Sequence, residues 1–124
     1  IGLIPDGGSL FHLPRLVGPA KAKELIFTAK TIDAKEAERI GLINKAVPAG
    51  ELDNEVNMLA RQLAEGPTVA FGIAKKIINK GMSMDLSSVL ECEALGQTVA
   101  GTTQDAQEGV VAFLEKRKAE FKGK

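Results

Sequence analysis

The stretch IGLIPDGGSLFHLPRLVG, residues 1–18, contains the first residues that predict local structure. Its first five residues are apolar and end at a proline, a pattern that predicts the end of a buried strand. The next residue, Asp6, is predicted to cap a short helix over residues 7–13, and Pro14 is predicted to end that helix. A carboxylate between a proline and two glycines also lies on a backbone that a ligand can approach closely. Asp6 is therefore either a helix cap or a group that does chemistry.

The rest of the chain is predicted to be mainly helical, with one further short strand over residues 42–47. Pro19 is well placed to begin a helix, and Asp33 and Glu36 have capping-box spacing for a helix over 34–40. Four further helices are predicted: one ending at Gly66 with an apolar stripe of Leu52, Val56, Leu59 and Leu63, one from Pro67 to Gly81, one capped by Asp85, and one capped by Thr102 or Thr103. The fold class is therefore mainly α with one or two short strands.

The composition is that of a globular protein. The chain has 124 residues, of which 44% are hydrophobic and 26% charged, enough to predict one domain with a sizeable core. Lys and Arg together number 16, as do Asp and Glu, so a zero net charge gives no case for nucleic acid or an anionic membrane. No apolar run is long enough to span a bilayer. Cys92 is the single cysteine, which predicts the cytoplasm or another reducing compartment.

Few residues can carry catalysis. One histidine and one cysteine without ligand spacing argue against a metal site, and no bound cofactor is expected. His12 is the only imidazole, and Ser9 stands three residues before it without a supporting motif. No glycine-rich nucleotide-binding loop is present. Asp6 is therefore the main candidate for catalysis.

Residues 86–101 form a predicted helix that carries few charges. A helix of weak amphipathicity usually packs on more than one side. This segment is therefore predicted to be either a subunit interface or a central core helix.

Three motifs follow one another in a recognisable order. Residues 13–18 read LPRLVG, residues 37–43 read AERIGLI, and residues 105–118 read DAQEGVVAFLEKRK. With the apolar stretch and glycine-rich turn before them, they make the chain resemble the enoyl-CoA hydratase/isomerase (crotonase) superfamily. The resemblance covers the whole chain.

The resemblance implies a fold and an organisation. The chain would be the C-terminal half of the crotonase fold, with the N-terminal half of the ββα spiral absent, as one compact fragment. Residues 1–48 would end the spiral core and carry the active-site turn. Residues 49–124 would form the C-terminal helical region, through which family members form trimers or dimers of trimers.

The resemblance also implies a chemistry. Family members act on acyl-CoA thioesters through an enolate held by two backbone N–H groups, while carboxylates move protons. The position of Asp6 matches the catalytic aspartate of some enoyl-CoA isomerases, in a turn formed with Pro5, Gly7 and Gly8. Phe113 and Lys116, the latter a phosphate-binding charge, match positions that contact CoA. Coenzyme A would therefore be present only in the substrate.

Three alternatives follow for the function. The parent enzyme is an isomerase with Asp6 as acid/base, or a hydratase in which Asp6 only caps a helix. A third possibility is a non-catalytic helical oligomerisation module. The chain alone is expected to be inactive, because the matched pattern places the oxyanion hole and the hydratase glutamates before Ile1.

Overall fold

The computed structural model describes residues 1–124 and consists of helices and connecting segments. The α-helices are α1 (Ser9–Val17), α2 (Pro19–Thr28), α3 (Ala34–Arg39), α4 (Leu52–Ala64), α5 (Thr68–Gly81), α6 (Leu86–Gly101) and α7 (Gln104–Glu115), and a single 3-10 turn (Ala49–Glu51) precedes α4. No helix combines the length and the apolar character needed to cross a lipid bilayer.

Neither predicted strand forms. Residues 1–6 have no regular secondary structure, and residues 42–47 are bends and irregular backbone. The second segment bonds back to α3, since the Leu42 amide donates to the Ala37 carbonyl at 2.9 Å and the Ala46 amide to a Glu38 carboxylate oxygen at 3.1 Å. A strand needs a second strand to complete its hydrogen bonds, and this chain provides none.

The first helix differs from its prediction at both ends. Gly8, with φ of 87°, occupies the N-cap position, and no side chain caps α1, so the prediction that Asp6 caps it is wrong. Pro14 lies inside the helix, which continues to Val17. The Arg15 guanidinium donates to the Phe11 carbonyl at 2.8 Å and lies 3.5 Å from the centre of the Phe11 ring, contacts that support the turn containing the proline.

Three other predicted caps are confirmed. Asp33 accepts a hydrogen bond from the Glu36 amide at 2.8 Å, Asp85 accepts one from the Ser88 amide at 3.0 Å, and the Thr103 hydroxyl accepts one from the Ala106 amide at 3.0 Å. Pro19 is the first residue of α2, as predicted. These predictions succeed because a cap depends only on groups within one turn of the chain.

The chain divides into two compact units, Ile1–Leu52 and Asp53–Lys124. In the first unit α1 packs against α2, and Ala22 and Ala37 are buried. In the second unit α6 packs against both α5 and α7, and Ala112 is the buried apolar residue. The prediction of a sizeable core is therefore wrong for this chain, because no large apolar side chain is fully buried.

The apolar stripes of two helices are largely uncovered. The residues predicted to form the inner stripe of α4 are each between 49% and 56% exposed, namely Leu52, Val56, Leu59 and Leu63. On α6, four large apolar side chains are 53–73% exposed, namely Leu86, Leu90, Leu95 and Val99. Exposed apolar surface of this extent marks a site of interaction.

The last residues of the chain fold back onto the start of α7. The buried carboxylate of Asp105 accepts the amide hydrogens of Lys122, at 2.6 Å, and Gly123, at 2.8 Å. In return, the Asp105 amide donates to the carbonyl of Lys124 at 3.0 Å. The Phe121 ring lies beside Gly109, where a Cβ would be 3.5 Å from it. Asp105 thus fastens the C-terminal segment.

We expect Asp105→Ala to lower the free energy of unfolding by about 1–3 kcal/mol, because two backbone N–H groups lose their acceptor. Urea denaturation measures this difference. Asp53→Ala is the matched control, since Asp53 is likewise the second residue of its helix but is exposed. If both variants lose the same free energy of unfolding, Asp105 stabilises the fold only through its charge near a helix N-terminus.

Candidate functional site

The candidate catalytic carboxylate lies on a turn made by two glycines. Gly7 and Gly8 have φ of 61° and 87°, conformations that favour glycine. The turn is closed through the backbone of Asp6, whose carbonyl accepts the Ser9 amide at 3.1 Å and also the Ser9 hydroxyl. The Asp6 side chain is exposed, and its carboxylate accepts no hydrogen bond from the chain.

The single histidine has a packing role beside this turn. A Cβ added to Gly8 would lie 3.2 Å from Cδ2 of His12, so the imidazole lies against the glycine backbone. The same ring stands edge-on to Phe11, with 5.1 Å between ring centres. No group of three or more His, Cys, Asp or Glu side chains is arranged to hold a metal ion. The turn therefore offers a carboxylate as its reactive group.

The candidate CoA-binding residues lie at the end of α7. The Phe113 side chain is 82% exposed. Lys116 ends the helix in the left-handed conformation, with φ of 53°, and its amide donates to the carbonyls of Ala112 and Phe113. Its ammonium group is exposed and forms no ion pair or hydrogen bond within the chain. An unpaired ammonium at the surface can bind an anion such as a phosphate.

An ionic contact at the end of α7 was not predicted from the sequence. Arg117 donates from Nη1 and Nη2 to the two carboxylate oxygens of Glu108, at 2.6 and 2.9 Å, and from Nε to Glu115 at 2.7 Å. The Glu120 amide also donates to Glu108, at 2.9 Å. These hydrogen bonds to Arg117 and Glu120 lower the pKa of Glu108 from 4.5 to about 2.

The sequence pattern does not indicate the ion pair between Glu108 and Arg117. Residues 115–118 read EKRK, which is typical of a solvated helix end, and Glu108 is nine residues before Arg117, a spacing that brings no two side chains together on a helix. The contact forms because Lys116 ends α7 and the chain turns back. A left-handed lysine cannot be identified from residue type alone.

The predicted site residues therefore fall into two groups. Pro5, Asp6, Gly7 and Gly8 are contiguous in the first unit, where they form the turn before α1. Phe113 and Lys116 belong to the second unit and lie within one turn of each other at the end of α7.

Comparison with known proteins shows one consistent similarity. The model of the enoyl-CoA hydratase/isomerase family matches residues 1–124. The chain is 44% identical over 121 residues to a crotonyl-CoA hydratase of Syntrophomonas wolfei, an alignment that covers 98% of this chain and 46% of that protein. It is 43% identical over 122 residues to a short-chain-enoyl-CoA hydratase of Clostridium acetobutylicum, covering 97% of this chain and 46% of that one.

A solved structure gives the same result. An enoyl-CoA hydratase from Bacillus anthracis superposes with a TM-score of 0.88 at 36% sequence identity, covering 99% of this chain and 48% of the other. The chain thus spans slightly less than half the length of the relatives that it matches.

We expect Glu108→Gln to lower the melting temperature at neutral pH. In acid, the melting temperatures of the variant and of the unmodified chain should come closer together. A carboxylate whose folded pKa is lowered stabilises the fold above its ordinary pKa of 4.5, and this contribution is lost as the pH falls to about 2. Melting temperatures between pH 7 and pH 2 measure this effect. Glu91→Gln, which removes an exposed, unpaired carboxylate of α6, should show no such convergence.

Proposed function

This chain belongs to the enoyl-CoA hydratase/isomerase family of the crotonase superfamily, and from this membership we propose that it is the C-terminal part of an acyl-CoA enzyme. The parent enzyme would act on an acyl-CoA thioester through an enolate. Coenzyme A would enter as part of the substrate, and no bound cofactor would be needed. The chain corresponds to the helical part of the crotonase fold.

The observation that carries the proposed reaction is the free carboxylate of Asp6. A carboxylate engaged as a helix cap points at its own helix, whereas an acid/base must reach the substrate. Because Gly8 occupies the cap position and the Asp6 side chain is exposed, the carboxylate is available for proton transfer. We infer that Asp6 moves a proton between carbons in double-bond isomerisation, within the turn formed by Pro5, Gly7 and Gly8.

A hydratase is the second candidate, and the relatives favour it. Both of the relatives described above are named as hydratases, one of crotonyl-CoA and one of short-chain enoyl-CoA. In this alternative the groups that add water lie outside this chain, and Asp6 has no part in proton transfer. The two candidates differ in whether removal of the Asp6 carboxylate affects turnover.

Phe113 and Lys116 are the proposed contacts for the CoA moiety. The Phe113 ring is exposed, so it offers an apolar face to the CoA moiety, and the ammonium of Lys116 would pair with a phosphate. A cation at this place is not offset by an intramolecular partner, which supports a role in anion binding.

We further propose that the parent enzyme is an oligomer, a trimer or a dimer of trimers. The exposed apolar residues of α6 support this, since a face of this kind is normally covered in the assembled protein. A chain that served only for oligomerisation would need the same face, so the exposed face alone does not separate an enzyme from an oligomerisation module. The free Cys92 supports a reducing compartment such as the cytoplasm.

In the full-length parent enzyme, we expect Asp6→Asn to lower kcat for double-bond isomerisation by about 10²–10⁴-fold, the usual contribution of a positioned acid/base. The KM for the acyl-CoA should change little. Isomerisation of a 3-enoyl-CoA and hydration of a 2-enoyl-CoA are measured side by side. Asp53→Asn, at an exposed position of α4, is the control for loss of one carboxylate.

One result would contradict the role of Asp6, and another would contradict the expected inactivity of the chain alone. If the unmodified enzyme and Asp6→Asn hydrate a 2-enoyl-CoA equally fast, and neither isomerises a 3-enoyl-CoA, the parent enzyme is a hydratase. Measurable enoyl-CoA turnover by the isolated 124-residue chain would contradict the expectation that the catalytic groups are shared with a missing part.

We expect Lys116→Gly in the parent enzyme to raise KM for the acyl-CoA by about two- to fivefold at low ionic strength and to leave kcat unchanged. Glycine accepts the left-handed conformation, so the variant removes the charge without straining the helix end. Ala29→Gly is the matched control, because Ala29 is the other non-glycine residue with positive φ. An unchanged KM in Lys116→Gly would exclude the proposed contact.

A further inference from the structure

The charged residues at the end of α7 have different surroundings. The Arg117 guanidinium donates to two carboxylates and, from Nη1, to the Lys118 carbonyl at 3.2 Å. Its charge is therefore offset and most of its donors are in use. The neighbouring ammonium of Lys116 has no such partner. Of these two cations, only Lys116 is free to bind a ligand.

The backbone of Lys116 is held in an unusual conformation for a lysine. Its φ of 53° and ψ of 38° are left-handed, which L-residues with a Cβ adopt rarely. The next amide, that of Arg117, donates to the Ala112 carbonyl at 3.0 Å. A conformation of this kind persists only where the surrounding contacts determine it.

The contact that spans this turn is the ion pair between Glu108 and Arg117. Glu108 lies two turns back on α7, so the pair joins the body of the helix to the first residue after the reversal. The same carboxylate accepts the Glu120 amide, so it also holds the segment that follows. A bidentate pair fixes orientation as well as distance, which a single bond does not.

We propose that Glu108 is a positioning residue for ligand binding: through Arg117 it sets the backbone of Lys116, so that the free ammonium meets a phosphate of the acyl-CoA. This inference rests on the proposed function of Lys116. Glu108 itself would not touch the ligand, because both of its oxygens are engaged within the chain.

A double-mutant cycle in the full-length parent enzyme tests the proposal. Glu108→Gln is expected to raise KM for the acyl-CoA by about twofold at low ionic strength, with kcat unchanged. In the Lys116→Gly background the same substitution is expected to have no effect on KM. Arg117→Lys keeps the positive charge but loses the bidentate geometry, so it should reproduce the change seen in Glu108→Gln.

The matched control is Glu36→Gln. Glu36 accepts two hydrogen bonds from Arg39 on α3, both at 2.6 Å. The variant therefore removes a similar bidentate ion pair that is not on α7. KM should be unchanged in this variant. Circular dichroism on each variant establishes that the helices are intact before KM is compared.

The outcomes separate this inference from the proposed function. If Lys116→Gly raises KM but Glu108→Gln does not, Glu108 has no positioning role and the lysine contact stands. If Glu108→Gln raises KM equally in both backgrounds, Glu108 acts independently of Lys116 and the inference is overturned. If Lys116→Gly leaves KM unchanged, the lysine contact is lost, and the positioning role is lost with it.

Discussion

The carboxylate of Asp105 fixes the position of the C-terminal segment against α7. It is buried in the first turn of α7, where the helix dipole favours a negative charge, and it accepts the amide hydrogens of two residues near the C-terminus. The chain can return to this point only because Lys116 reverses its direction at the other end of the helix. Arg117 is thereby brought back to Glu108. The proposed CoA-binding lysine therefore stands at a reversal that is fixed from both ends of α7.

The apolar faces of the helices are the second constraint. Helices in proteins are stabilised mainly by the packing of such faces, and here three alanines are the only buried apolar residues, while the stripes of α4 and α6 are exposed. The chain spans less than half of its relatives' length. Under the proposed function, the remainder of the enzyme and its neighbouring subunits cover these faces. Local caps determine where α3, α6 and α7 begin, whereas the exposed faces would be covered only by the proposed partners.

The sequence predicted what depends on local contacts. The caps at Asp33, Asp85 and Thr103 and the helical pattern after residue 50 are confirmed, because each is decided within a turn or two. The strands failed because strand pairing needs a partner from elsewhere. The pairing of Glu108 with Arg117 was missed because it depends on a left-handed residue that no residue type signals. The roles of the site residues came from a family resemblance and stay predictions.

The glycines of the opening turn explain why the Asp6 carboxylate is free. With a β-region residue at the N-cap position, the first backbone N–H groups of a helix normally donate to a side-chain oxygen, such as that of an aspartate. Gly8 is left-handed instead, and the turn is closed by the backbone carbonyl of Asp6. A side chain at Gly8 would be strained and would press on His12. The two glycines therefore separate the carboxylate from the helix that follows it, and the proposed proton transfer by Asp6 depends on this separation.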